Sequence, residues 1–145
     1  MSARFKGWGS FAVLAVRLTG CIIDSLTLSS EQASLARARI QEAGLEDSIT
    51  VHLLDYRQAP LQSDPPTLGS KGAGKSWIGL FDRFVAIEMV EHVGREFLPE
   101  FWRVVDECLK PNGDAFGIVQ LTTLPEARMP AYIGNIDFIQ KWVCH

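Results

Sequence analysis

In the run Phe84-Val-Ala-Ile-Glu-Met-Val-Glu-His-Val-Gly94, an apolar stretch of strand character ends on two carboxylates, Glu88 and Glu91, and an imidazole, His92. Ligands of open parallel sheets sit in the crevice beyond the carboxyl ends of the strands, so ionisable groups there are placed for chemistry. A carboxylate can act as a general base at such a point, and an imidazole can orient a loop or move a proton near neutral pH. The bland alternatives are a surface carboxylate at the N-terminus of the following helix, where the dipole favours negative charge, and a structural histidine. Gly7-Trp8-Gly9 stands before a helical segment, either as a tight turn or as the second half of a glycine-rich turn whose backbone lies close to a nucleotide-like cofactor.

A third pattern, Gly69-Ser-Lys-Gly-Ala-Gly-Lys-Ser76, matches the phosphate-binding P-loop letter for letter and would give Lys75 and Ser76 to a nucleotide hydrolase. A working P-loop leaves a buried strand and enters a helix. Here Pro65-Pro66-Thr67 precedes it, and Trp77-Ile-Gly-Leu-Phe-Asp82 leads into the next strand instead of a helix, so the segment reads as part of a loop insertion over about 61–78. Cys21, Cys108 and Cys144 are odd in number and widely spaced, which suits buried thiols better than a disulfide frame or a zinc site.

Apolar strand-like runs alternate with segments of helical period, the pattern of βαβ units around a parallel sheet. A helix is expected over Phe11–Leu18, closed by Gly20, followed by a strand over Cys21–Leu28. Ser29 and Gln32 have capping-box spacing, Ala33, Ala36, Ile40 and Ala43 recur at helical intervals, and Gly44 stands where a left-handed cap belongs. Strands are expected over Ile49–Leu54, Phe81–Glu88 and Ala115–Thr122, with a helix over Arg95–Leu109 whose stripe is Phe97, Leu98, Phe101, Val105, Cys108 and Leu109. The reading is four strands and three helices in one domain. Residues before Gly7 are too few and too polar, on this reading, to be a strand.

The chain has 145 residues, 47% hydrophobic and 21% charged, with a net charge of -3, the balance of a water-exposed globular domain with a core. Its sequence pI near 5.6 and its scattered basic residues argue against nucleic acid as a partner. No stretch approaches the ~20 apolar residues that span a bilayer, and no signal peptide opens the chain, so a cytoplasmic location is expected.

Several segments in register resemble the cyclopropane-fatty-acyl-phospholipid synthase (mycolic acid cyclopropane synthase-like) family of class I S-adenosylmethionine-dependent methyltransferases. They are Gly7-Trp-Gly-Ser10, Leu26-Thr-Leu-Ser-Ser-Glu-Gln32, Asp55-Tyr-Arg57, Phe81-Asp-Arg-Phe84 running into Glu91-His-Val-Gly94, Leu109-Lys-Pro-Asn-Gly113 and Ile136-Asp-Phe-Ile-Gln-Lys141. The resemblance implies an α/β, Rossmann-like fold with a parallel-rich sheet flanked by helices, incomplete because the first strand and the C-terminal strands are missing. It implies that Gly7 and Gly9 approach the methionine part of S-adenosylmethionine, and that Thr27, Leu28 and Gln32 flank its ribose and adenine. Tyr56 and Arg57 would close the adenine side, and Ile87 would line the floor beneath the sulfonium.

It further implies transfer of a methyl or methylene group to the double bond of an unsaturated acyl lipid, with membrane contact peripheral at most. Glu91 would orient a bicarbonate ion that accepts the proton lost from the acyl cation, with His92 beside it. Gln120 stands where some relatives have histidine, and the chain looks truncated at both ends relative to the family pattern. Two other readings stay open: a catalytically inactive fragment acting as a binding protein through open sheet edges, and the nucleotide hydrolase. The oligomeric state, the lipid, and the choice between ring closure and simple methylation are not readable from the sequence.

Overall fold

The computed structural model describes residues 2–5 (backbone only), 9–61, 77–123, 125–128 and 130. The elements in order are β1 (Ser2–Phe5), α1 (Ser10–Thr19), β2 (Ile22–Thr27), α2 (Ser30–Glu42), β3 (Ile49–Leu53), β4 (Arg83–Ile87), α3 (Leu98–Cys108) and β5 (Phe116–Gln120), with short 3-10 turns at Tyr56–Leu61, Val90–His92, Arg95–Phe97 and Glu126–Arg128. β1, β2 and β3 form one hydrogen-bonded parallel ladder in that order, and β4 pairs with β5, also parallel. β1 lies beside β4, so the strands run β3-β2-β1-β4-β5 across the molecule. That is five strands of the doubly wound order, which reverses between β1 and β4, and the crevice of such a sheet opens at the carboxyl ends of its central strands.

The expectation that no strand precedes Gly7 is corrected. Ser2–Phe5 pairs in register with β2, Ser2 opposite Ile22 and Phe5 opposite Ser25. A parallel ladder is made by backbone N–H and C=O groups, which Ser2, Ala3, Arg4 and Phe5 supply whatever their side chains, so hydropathy alone misses such a short strand. The first strand of the fold is therefore present. The segment 131–145, including the expected Ile136–Lys141 motif and Cys144, lies outside the described residues, as do Gly7 and the P-loop-like run 69–76.

Local signals explain the helices. Ser29 caps α2 by accepting the Gln32 N–H at 3.2 Å, and the Gly44 and Leu45 N–H groups return to Gln41 and Ile40 with Gly44 at φ 65°, a Schellman stop. Gly20 ends α1 in the same left-handed region. α3 carries Pro99 in its first turn and buries Phe101, Val104, Val105 and Cys108, so the true stripe includes Val104, which the sequence reading left out.

The core has two sides. Against one side of the sheet, α1 and α2 bury Ala12, Val16, Ala33, Ala36 and Ile40 with Ile23, Ile49 and Val51. Against the other, Trp77, Phe81, Phe84, Phe101 and Val104 gather around α3, with Leu26 reaching them from β2. Trp77 is 1% exposed, so the chain has rejoined the core by this residue, inside the bounds expected for the insertion. Cys21 and Cys108 are both buried.

Candidate active site

At the carboxyl ends of β2, β3 and β4, the aromatic side of the core stops short of closing and leaves a cavity of about 210 Å³. Phe84, Phe101 and Val105 form its apolar wall, with Leu26 and Leu54. Thr27 and Leu28 enter from the end of β2, Asp55, Tyr56 and Arg57 from the turn after β3, and Met89, His92 and Val93 from the turn after β4.

The polar wall is ordered before any ligand arrives. Thr27 Oγ1 donates to Gln32 Oε1 at 2.8 Å and accepts the Ser29 N–H at 3.1 Å. Gln32 thus completes only half of the expected capping box: its N–H meets Ser29, and its side chain turns back to fix Thr27 instead. Asp55 accepts from the backbone N–H of Arg57 at 2.9 Å and from Arg57 Nε at 3.0 Å. The Arg57 hydrogen bond holds the Asp55 carboxyl below its ordinary range even against partial burial, and the same bond raises Arg57. Burial pushes the Tyr56 phenol up, and its ring packs edge-on to Phe101 at 5.5 Å.

The turn after β4 splits its side chains. Met89, His92 and Val93 face the cavity, whereas Glu88 and Glu91 turn to the end of β5. Glu91 Oε1 accepts the Thr122 N–H at 2.7 Å, and its Oε2 is shielded from solvent with no hydrogen-bond partner. Burial raises the Glu91 carboxyl, but the Thr122 and Glu91 N–H groups, the His92 charge and a side-chain contact with Glu88 together outweigh it, leaving Glu91 below the ordinary value. Glu88 has φ 48° and is the sole non-glycine residue with positive φ among the described residues. Its N–H donates to Gln120 O at 2.9 Å, and Gln120 Nε2 donates to its carboxylate.

Of the residues named from sequence, the cavity wall gathers Thr27, Leu28, Tyr56, Arg57 and His92. Gln32 acts behind Thr27, and Glu91 lies outside the wall, held by the Thr122 N–H. Ile87, the last residue of β4, sits opposite Gln120 and outside the wall. Gly9 also lies outside it. With φ 83°, a Cβ there would meet Ala36 Cα and Cβ at 3.1 Å, so close approach of α2 already accounts for this glycine.

The sequence reading missed Asp24, which is 0% exposed in the middle of β2 and bonded to His52 Nε2 at 2.8 Å, with Trp77 edge-on to the imidazole at 5.0 Å. An aspartate inside Ile22-Ile-Asp-Ser-Leu26 was the available signal. Its place in mid-strand, away from the cavity, makes it a tie between β2 and β3. The residue after the P-loop-like run enters a turn with Gly79 at φ 63°, not a helix, so the helix N-terminus a P-loop needs is absent directly after Ser76.

The family model for mycolic acid cyclopropane synthetase matches residues 6–144. The chain belongs to that family. It is 31% identical over 137 residues to the tuberculostearic acid methyltransferase of Mycobacterium tuberculosis, covering 94% of this chain and 27% of that protein. It is 32% identical over 107 residues to the cyclopropane-fatty-acyl-phospholipid synthase of Escherichia coli K12, covering 74% of this chain and 22% of that one. The chain thus spans about a quarter of the length of these curated relatives. The cyclopropane synthase MmaA2 of Mycobacterium tuberculosis shares its fold at a TM-score of 0.65 and 21% identity, over 94% of this chain and 42% of that one. Mycolic acid cyclopropane synthase CmaA1, solved with S-adenosylhomocysteine, does so at 0.61 and 22%, over 90% and 40%. The fold is that of class I S-adenosylmethionine-dependent methyltransferases, and the family is one of lipid-modifying methyltransferases.

The cavity fits the cofactor of that family in kind: apolar walls for an adenine, hydroxyl and amide groups for a ribose, and a mouth at the carboxyl ends of the central strands. A bicarbonate fits less well. Among the described residues, the Gln120 amide and the Thr122 N–H beside Glu88 and Glu91 are already given to those two carboxylates. A third negative charge ~4 Å from either would cost on the order of 1–4 kcal/mol per contact, according to local polarity.

Proposed function

We propose that this chain carries the S-adenosylmethionine-binding core of a methyltransferase that modifies the carbon–carbon double bond of an unsaturated acyl lipid. The observation that supports it most is the cavity itself, where Thr27, Leu28, Tyr56, Arg57 and His92 converge at the strand ends of the family's fold. When bound, S-adenosylmethionine supplies an electrophilic methyl group. Thr27, fixed by Gln32, would hydrogen-bond the ribose; Leu28, Tyr56 and Arg57 would enclose the adenine; and Gly7 and Gly9 would let the backbone approach the methionine part. Ile87 would support the floor from the end of β4. Phe84, Phe101 and Val105, on the apolar wall, would help to keep water from the reacting carbon, where it would otherwise quench a cation.

An acyl substrate held in a bilayer implies peripheral contact with its surface, and among the described residues no helix is long and apolar enough to cross a membrane. Calorimetric titration with S-adenosylhomocysteine, with ATP as control, tests the cofactor site. Saturable micromolar binding of the first alone, weakened about ten-fold in Thr27→Val, corresponding to the ~1.4 kcal/mol of a lost hydrogen bond, is the expected result. Binding of neither would leave this chain without the proposed activity, and binding of ATP alone would restore the hydrolase reading.

A further inference from the structure

The sheet is covered unevenly on its α1 and α2 side. Val85 of β4 packs against the core of that side, whereas Phe84 and Ala86 face α3. Register carries the same alternation into β5: Phe116 lies opposite Arg83 and Ile118 opposite Val85, and a Cβ on Gly117 between them would meet Phe84. Phe116 and Ile118 therefore point to the α1 side. The helices there lie over β2 and β3, and these two side chains remain 50 and 54% exposed. Beside this floor α1 raises a ridge. Ala12 and Val16 face the sheet, and Phe11, Leu14 and Leu18, on the opposite face of the helix, are 44, 53 and 74% exposed.

We propose that α1 of a second copy of this chain lies on the floor of β4 and β5, and that α1 of the first copy lies on the same floor of the second. A ridge beside a floor is a step, and a step fits itself after a two-fold rotation about an axis parallel to its edge, the geometry of an isologous dimer. The dimensions agree. Two strands span about 10 Å, the width of one helix with its side chains, and the 10 residues of α1 rise about 15 Å along the ~16 Å of the 5-residue β5. The rotation keeps the strand direction. Because α1 runs back from the carboxyl end of β1 to the amino end of β2, Leu18 of the second copy comes to Phe116, and its Leu14 and Phe11 come towards Ile118. Charge agrees as well: Arg17 is the single ionisable residue of α1, and the same rotation brings it to the amino end of β5, where Asp114 is exposed. Five large side chains at these exposures present on the order of 500 Å² of apolar surface per copy, close to the apolar share of the ~800 Å² that one partner of a stable pair buries. A lipid surface fits the step less well, because a flat bilayer resting on the ridge would leave the floor about 10 Å away.

Analytical ultracentrifugation of the full chain between about 1 and 200 µM tests this, and a dimer with a dissociation constant in the micromolar range is expected. Leu14→Glu on the ridge and Ile118→Lys on the floor each bury a charge twice in the pair, so each should weaken it about 100-fold or more while circular dichroism shows the variant folded. Mixing the two variants decides the geometry. The new carboxylate of one meets the new ammonium of the other across one half of the interface, and Leu14 meets Ile118 across the other half, so a mixed dimer forms where neither variant pairs with itself. Wild type that stays monomeric throughout would overturn the proposal, and its sedimentation with anionic phospholipid vesicles would then give the ridge to a membrane. A dimer that Ile118→Lys leaves intact, or folded variants that do not pair on mixing, would overturn it too, because the contact would lie elsewhere. Hydrogen exchange of the wild type reads the same contact without substitution: amides of α1 and β5 should gain protection together as concentration rises, and no gain in either would count against the pair as decisively as a monomer.

Discussion

The two sides of the sheet solve different problems with different side chains. On the α1 and α2 side the buried residues are small or branched, Ala12, Val16, Ala33, Ala36 and Ile40, and the backbones come close enough that Gly9 has no room for a Cβ beside Ala36. On the α3 side they are large and aromatic, Trp77, Phe81, Phe84 and Phe101, meeting edge to face at centroid distances of 5.5 to 5.9 Å. Edge-to-face rings fill the middle of the α3 layer, and Phe84 and Phe101 also line the cavity. The cavity lies at the end of that layer. One side of the sheet is thus a support, and the other is both core and wall.

That division predicts the largest loss on the aromatic side. Phe101 touches Tyr56 and Phe84 and lines the cavity, so Phe101→Ala should cost about 3–5 kcal/mol in denaturant unfolding and abolish S-adenosylhomocysteine binding as well. On the support side, Gly9→Val combines a strained φ of 83° with a contact at 3.1 Å to Ala36, and about 2–4 kcal/mol of stability should be lost. If α1 only supports, the Gly9 variant should lose affinity no faster than it loses folded protein. A loss of affinity in fully folded Gly9→Val would show that Gly9 also serves the cofactor, as proposed above, beyond its packing against Ala36. Smaller still is Thr27→Val, about 1–2 kcal/mol in stability with the affinity loss already described, since it removes the bonds to Gln32 and Ser29 and keeps the side-chain volume.

Sequence made the support side the easier one to read. Ser29, Gln32 and Gly44 announce α2 because caps and left-handed stops are local chemistry, decided within a few residues. β1 could not be read in the same way, because its partner is twenty residues along the chain and its ladder uses backbone atoms only. The Asp24–His52 tie joins residues 28 apart, and nothing local marks them as a pair. Within the site, Thr27, Tyr56, Arg57 and His92 were legible through motifs, whereas Phe84, Phe101 and Val105 were legible only as apolar. Hydropathy says that a side chain is buried; it does not say that the layer it belongs to ends in a cavity. Glu88 was visible as an ionisable group at a strand end, but its positive φ and its hold on Gln120 are tertiary facts.

The smallest effect sharpens the comparison by pH. Asp55 and Glu91, both on the cavity side, have carboxyls lowered from 3.8 and 4.5 respectively. For Asp55 the main cause is the Arg57 hydrogen bond, opposed by burial; for Glu91, burial is outweighed by the Thr122 N–H and its neighbours. A carboxyl whose folded pKa is depressed contributes stability that is fully present above its unfolded value and is lost as pH falls through the folded one. Unfolding free energy should therefore be flat above about 4.5 and decline below it. On the other side, Glu31 at the start of α2 is also lowered, by its own N–H and Ser29, but it is fully exposed and its bonds are local. Hydrogen exchange below pH 4.5 should consequently open the turns after β3 and β4 before it opens α2. In Arg57→Ala the acid-sensitive loss of the turn after β3 should shrink, because Asp55 then titrates near its ordinary value in both states. Simultaneous opening of α2 and the two turns would show that acid acts on the whole fold, and that the cavity side is no more separable from its support than any other part of the core.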